Sequence, residues 1–167
     1  MSGGTLGGPL KYTSALMMGM TIPPANKCPM DVIGTGMGEN KSPALSWTGG
    51  PADTKSFAIV LIDTKYTLLH WAIWDIPATV NMLPEGLPSG YEITTLMGAH
   101  QAAAMGTDKH AYSGPCSSGM SASTYEFRLY ALKVDKLGLM ESSTTMQAQT
   151  AIEAAMSEKV VWSGKPM

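Results

Sequence analysis

Ser56 to Pro77, SFAIVLIDTKYTLLHWAIWDIP, is the stretch that decides the fold. Phe57 to Ile62 is continuously apolar and rich in Ile and Val, as expected of a strand covered on both faces. Leu68 to Ile76 reads as a second strand, and Thr64 to Thr67 is short enough to join the two as a hairpin. Two polar residues interrupt the apolar pattern: Asp63 closes the first strand and His70 lies early in the second. A regular hairpin sets Asp63 opposite Leu68 and Leu61 opposite His70. Asp63 and His70 then share one face, about 7–8 Å apart on the diagonal. Alternation sends Trp71 and Trp74 to opposite faces. A carboxylate and an imidazole at one mouth of an apolar sheet predict a site.

The rest of the chain fits a single β-rich domain. Its 167 residues suffice to bury a core, and 18 Gly and 11 Pro with short candidate strands disfavour a helical bundle. Residues 1–9 read as a flexible N-terminal linker and 10–167 as the domain. The formal charge of -2, with 11 Lys plus Arg scattered along the chain, excludes a basic nucleic-acid surface. No apolar run is long enough for a transmembrane segment. Residues 1–9 show no secretory signal pattern, which leaves open a signal already removed. Met17, Met18 and Met20 fit adaptable packing better than copper binding.

In chain order, Leu10 to Ile22 predicts a strand with an irregular end, and Asn26 to Asn40 a long loop. The glycines of that loop do not follow a strand in the dinucleotide-binding manner. Asn40-Lys41-Ser42 fits an N-glycosylation sequon. Ala44 to Trp47 is a short strand. Tyr91 to Gly114 has no clear period, as in a loop that lines or covers a site or is partly disordered; it holds His100 and His110, neither at zinc-ligand spacing. Tyr125 to Leu132, YEFRLYAL, is a strand with Tyr125, Phe127, Leu129 and Ala131 on one face. A helix capped near Ser143 runs to about Lys159, with Ala148, Ile152, Ala155 and Met156 as its apolar stripe, and Val160 to Trp162 is a last strand. Ser117, Ser118 and Ser123 lie near the expected site but lack a nucleophile-elbow context.

Together these pieces are similar to a known family. SPALSW (Ser42 to Trp47), SFAIVLID, HWAIWDIP (His70 to Pro77), GPC (Gly114 to Cys116) and YEFRLYAL resemble, in order and spacing from about Tyr12 to Trp162, the phosphatidylethanolamine-binding protein family, nearest its bacterial Raf kinase inhibitor-like branch. The resemblance implies a mainly β fold with peripheral helices, a β-sandwich around a central antiparallel sheet, and one small anion pocket at a sheet end. It matches Asp63 to the first acid of the family's D-P-D-x-P loop, His70 to the pocket histidine, Gly114, Pro115 and Cys116 to the G-P-C-P-P wall, and Tyr125 to the tyrosine of H-R-Y. Three departures stand out. Asp63-Thr64-Lys65-Tyr66 lacks the second acid, Ser117-Ser118 replaces the double proline, and Ser123-Thr124-Tyr125 lacks the second histidine.

The resemblance also places Cys116 on the pocket wall and predicts a Cys28–Cys116 disulfide, hence an exported protein; two reduced thiols would mean a cytoplasmic one. The leading expectation is a binding module for a small anion, whether phosphate, carboxylate or head group, needing no cofactor and no metal. Imidazolium, stabilised by Asp63, would act with the Tyr125 hydroxyl and backbone donors of Gly114 to Gly119. Two rivals accompany it. One is an enzyme in which Asp63 and His70 move a proton in an isomerisation or cyclisation. The other is a regulator that binds a protein partner through the rim.

Overall fold

The computed structural model describes residues 6–14, 19, 21–29, 38–104, 106–116 and 123–166. The expectations placed on Met17, Met18, Met20, Ser117, Ser118, and on parts of the 1–9 and 26–40 segments, fall outside these residues. The chain order is β1 (Lys11–Tyr12), β2 (Thr21–Ile22), β3 (Leu45–Thr48), β4 (Ser56–Asp63), β5 (Leu68–Pro77), β6 (Met82–Leu83), β7 (Glu92–Ile93), β8 (Ala99–Gln101), β9 (Tyr125–Leu132), α1 (Thr145–Ala155) and β10 (Met156–Pro166). They form a three-stranded sheet, β1-β3-β6, and a seven-stranded sheet, β2-β10-β9-β4-β5-β8-β7. The fold is the expected sheet-rich one with a peripheral helix.

Strand β4 explains the layering. All eight of its residues are buried, so both faces of the large sheet need a cover. On one face Phe57, Ile59 and Leu61 join Trp71, Phe127 and Leu129 against Leu45, Trp47 and Leu83 of the small sheet. On the other, Ala58, Val60 and Ile62 join Trp74, Tyr130 and Leu132 against Ala148 and Ile152 of α1. Trp71 and Trp74 thus do face opposite ways.

Several boundaries differ from the sequence reading. Helix α1 is capped by Thr144, whose side chain accepts from the Gln147 amide while Gln147 reaches back to the Thr144 amide. It ends at Ala155, not near Lys159, because Met156 onward pairs with β9 along its whole length. The expected short strand at Val160 to Trp162 is therefore an eleven-residue one. The Leu10 to Ile22 segment supplies two short strands, in different sheets. The aperiodic Tyr91 to Gly114 segment contributes β7 and β8 to the sheet edge. Its strands were invisible as patterns because each has only two or three residues. Residues 7 and 8 hydrogen-bond the turn at Gly50, and the Leu10 amide donates to Glu158.

Two bulges break the β4–β5 register, and both carry polar residues. At the far end Phe57 faces Ile76 and Ile59 faces Ile73, so Trp74 and Asp75 together oppose Ala58. Asp75 takes a left-handed backbone, φ 58°, which Asp tolerates better than most residues. Its buried carboxylate is fully used: Oδ2 accepts from His100 Nδ1 at 2.9 Å and Oδ1 accepts the Leu137 amide at 2.9 Å. One side chain thereby ties β5 to β8 and to the connection before α1. Asp75→Ala removes both bonds and the left-handed tolerance, and should lower stability by about 3–5 kcal/mol, as for breaking a buried pair. Asp75→Asn, which can still accept from Leu137 and adopt the same backbone, should cost less. Urea unfolding of the two variants measures the difference.

Candidate functional site

The second bulge builds the site. Asp63 faces Leu68 as a regular hairpin requires, but Ile62 faces Leu69 and Leu61 faces Trp71. Leu61 is therefore not opposite His70; His70 is the extra residue. A bulge re-aims the side chain it carries, and here His70 and Asp63 come to line the same cavity. That cavity has a volume of about 220 Å³ and is lined by Asp63, His70, Ser113, Cys116 and Ser123 together with Tyr66, Leu68 and Leu69.

Asp63 has two roles at once. Its Oδ1 accepts the amides of Lys65 at 2.9 Å and Tyr66 at 3.3 Å, closing the hairpin turn. The same residue, 3 % exposed, also walls the cavity. His70 is held from behind. Its Nδ1 lies 3.3 Å from the Ser113 carbonyl oxygen and 3.2 Å from that of Gly114. Two acceptors require Nδ1 to carry a hydrogen, so in the neutral ring Nε2 is the basic nitrogen. Tyr125 meets the imidazole edge to face, ring centres 5.3 Å apart.

Burial pushes the His70 imidazole below its ordinary value of 6.5, outweighing the Gly114 and Ser113 hydrogen bonds and the Asp63 charge, which favour the cation. The expected imidazolium stabilised by Asp63 is therefore not the resting state near neutral pH. Desolvation wins over the single carboxylate because that carboxylate does not hydrogen-bond the ring.

The wall behind His70 is assembled from distant segments. Gly114 donates its amide to Asn40 Oδ1 at 2.7 Å, and Asn40 Nδ2 donates to the Tyr112 carbonyl at 3.2 Å. The sequon asparagine, with φ 53°, is thus a strut of this wall. A Cβ on Gly114 would come 2.6 Å from the Asn26 carbonyl oxygen, so only glycine permits this approach. Cys28 donates its amide to the Pro115 carbonyl at 3.0 Å. Cys28 and Cys116 are joined by a disulfide across 88 residues of chain, as the resemblance implied.

Of the expected backbone donors of Gly114 to Gly119, those of Ser117, Ser118 and Gly119 lie outside the described residues. The Gly114 amide is taken by Asn40, Pro115 has none, and the Cys116 amide donates to the Tyr125 hydroxyl at 3.1 Å. Of the other expected site residues, Cys116 lines the cavity, while Gly114, Pro115 and Tyr125 adjoin its lining residues Ser113, Cys116 and His70. Ser113 and Tyr66, which the sequence reading passed over, do line it. Their signal was adjacency to the GPC motif and to Asp63. His100 pairs with Asp75, and His110 donates Nδ1 to the Gln101 carbonyl at 2.7 Å, so both lie apart from this cavity. Among the described residues no three His, Cys, Asp or Glu side chains gather as metal ligands.

Comparisons with known proteins bear on the family and the fold. A family model described as phosphatidylethanolamine-binding protein matches residues 12–165. The UPF0098 protein YbcL of Escherichia coli K12 is 34% identical over 117 residues, 64% of this chain and 61% of the relative. A UPF0098 protein of Aquifex aeolicus is 30% identical over 129 residues, 74% of this chain and 70% of the relative. The crystal structure of E. coli YbcL, described as a new member of the mammalian PEBP family, superposes with a TM-score of 0.73 and 26% identity, covering 95% of this chain and 98% of that one. A homolog from Chlamydia trachomatis shares the fold, with a TM-score of 0.70 and 21% identity over 94% of this chain and 96% of that one.

Two measurements test this geometry. The unfolded chain protonates His70 near pH 6.5, while the folded chain resists protonation to a lower pH. The stability held by the neutral ring is complete above pH 6.5 and is lost as pH falls through the folded value. Urea unfolding at pH 7.5 and 5.5 should show a smaller loss for His70→Gln than for the wild type; equal losses would contradict the buried neutral ring. Replacing both cysteines by serine opens a long loop and should cost about 2–5 kcal/mol, read in the same assay.

Proposed function

The chain belongs to the phosphatidylethanolamine-binding protein family, and from that premise we propose that it is a binding protein whose ligand is a small anionic group held against His70. The observation that carries this reading is the orientation of the imidazole. Its Nδ1 is fixed on two carbonyl oxygens inside a small, walled cavity, which leaves Nε2 for a ligand. A phosphate, sulfate or carboxylate entering the cavity favours the imidazolium form and offsets the burial that disfavours it. The anion therefore arrives with a proton, and Nε2–H becomes a charge-assisted donor to it. Ser113 and Ser123 also line the cavity, and a serine hydroxyl is a donor an anion can use. Asp63 keeps the pocket from being uniformly positive, so affinity stays modest.

The departures from the family pattern support small anions over the phosphatidylethanolamine head group. Lys65 stands where the second acid is expected, on the exposed turn with its Nζ 5.2 Å from the centre of the Tyr66 ring. With that acid missing, an ammonium group loses one of its two expected partners. We also propose an oxidising compartment outside the cytoplasm, on the strength of the Cys28–Cys116 disulfide.

Titration with sulfate, whose charge is constant from pH 5.5 to 8, tests the mechanism by NMR. Affinity should rise as pH falls across that range, with proton uptake on binding. His70→Ala should weaken binding by about 1.5–3 kcal/mol, the worth of a hydrogen bond to a charged group. Equal binding of sulfate by wild type and His70→Ala would overturn the assignment.

A further inference from the structure

A groove of about 600 Å³ lies on the α1 side of the large sheet, between the Ala103–His110 turn and the start of α1. Both of its walls are fixed by local bonds. Ala103 bridges His110, and within that turn the Ala104 amide donates to the Lys109 carbonyl at 2.9 Å and the Thr107 amide to the Ala104 carbonyl at 3.0 Å. Opposite, the Ser143 amide donates to the Met140 carbonyl at 2.9 Å, and the capping box holds Thr144 and Gln147. The lining is mainly apolar and includes Leu69, Ala103, Ala104 and Met146. Met146 is 71% exposed, so the groove is open on its helix side. Its volume falls within the range of small-molecule pockets, roughly 300–1,000 Å³.

The charged groups of this groove have one sign. Asp108 and Glu141 line it, both exposed and neither in an ion pair among the described residues. No described Lys or Arg lines it; Lys109 follows Asp108 in the chain but is not part of the lining. His110, also in the lining, adds an acceptor. Its Nδ1 donates to the Gln101 carbonyl at 2.7 Å, so Nε2 is the lone-pair nitrogen of the neutral ring. The start of α1 opposes these groups with only about half a unit of positive charge, and its Thr144 and Gln147 amides are already bonded. Two full negative charges outweigh it. We propose that the groove, which β5 divides from the His70 cavity, is a separate site for a small hydrophobic amine. The alkyl chain lies on Leu69, Ala104 and Met146, and the ammonium meets Asp108 and Glu141. Charge complementarity selects this occupant over a carboxylate of the same length, which both acids repel. The site stands independently of the anion reading.

The test is calorimetric titration of the full chain at pH 8, where alkylamines are cations, with butylamine, hexylamine, octylamine, hexanol and hexanoate. Affinity should rise about twofold for each methylene added to the amine, short of the roughly fourfold of complete burial because the groove is half open. Hexylamine should bind more tightly than hexanol, and hexanoate least. Asp108→Asn and Glu141→Gln should each weaken hexylamine about two- to fivefold, the range for exposed ion pairs, and hexanol by less. Met146→Gln, at an exposed helix position, should reduce the gain per methylene, and Ala104→Trp, which fills the groove, should abolish it. Amide NMR shifts on adding octylamine should centre on Ala104, Thr107 and Met146, not on Ser113 and Cys116. Equal affinity for amine, alcohol and acid, or no binding of octylamine, would overturn the proposal. So would a chain-length gain unchanged in Met146→Gln, or shifts centred on the His70 cavity. None of these outcomes bears on sulfate at His70, which the earlier titration tests by itself.

Discussion

The constraint on which the molecule depends is that β4 has no exposed face. A strand of eight buried residues at the middle of a sheet must be flanked by strands and covered above and below, because unpaired backbone and bare apolar surface both cost free energy. β5 and β9 supply the flanks, the small sheet one cover and α1 the other. Polar chemistry can then appear only where the strand stops. Asp63 is its last residue, and the candidate pocket opens there.

The same constraint separates what the sequence could reveal from what it could not. Layering, the opposed tryptophans and the Asp63–His70 neighbourhood followed from alternation and apolar runs. The two bulges did not, since a bulge inserts one residue without altering composition. His70 therefore came to the cavity by a different register from the regular one expected. The Asp75–His100 pair was hidden for a related reason: it joins residues 25 apart through a left-handed aspartate, and no periodicity marks such a position. Asn40 showed only as part of a sequon triplet because that pattern is local, whereas its hydrogen-bond partners are 72 and 74 residues away.

The electrostatic expectation failed for a physical reason. Proximity of opposite charges suggested a resting imidazolium, but proximity counts only against the solvation that each group gives up. His70 gives up more than one non-bonded carboxylate returns. Under the proposed function, a ligand that brings its own negative charge tips that balance, and charging the ring and filling the pocket become one event. The family resemblance pointed to His70, and burial lowers the pKa of its imidazole.

The edge of the large sheet has a consequence for synthesis. Thr21 and Ile22 of β2 find their strand partners at Lys165 and Pro166, in parallel register on the last residues of β10. A ribosome releases β2 long before β10, so this edge waits for nearly the whole described chain before it can close. Vectorial folding from the N-terminus cannot complete the sheet, and contacts of such sequence span slow the search for the native state. During that interval the β9 edge that β10 later occupies is open to other strands. A chain held extended until its final segment is available would bypass the exposed intermediate.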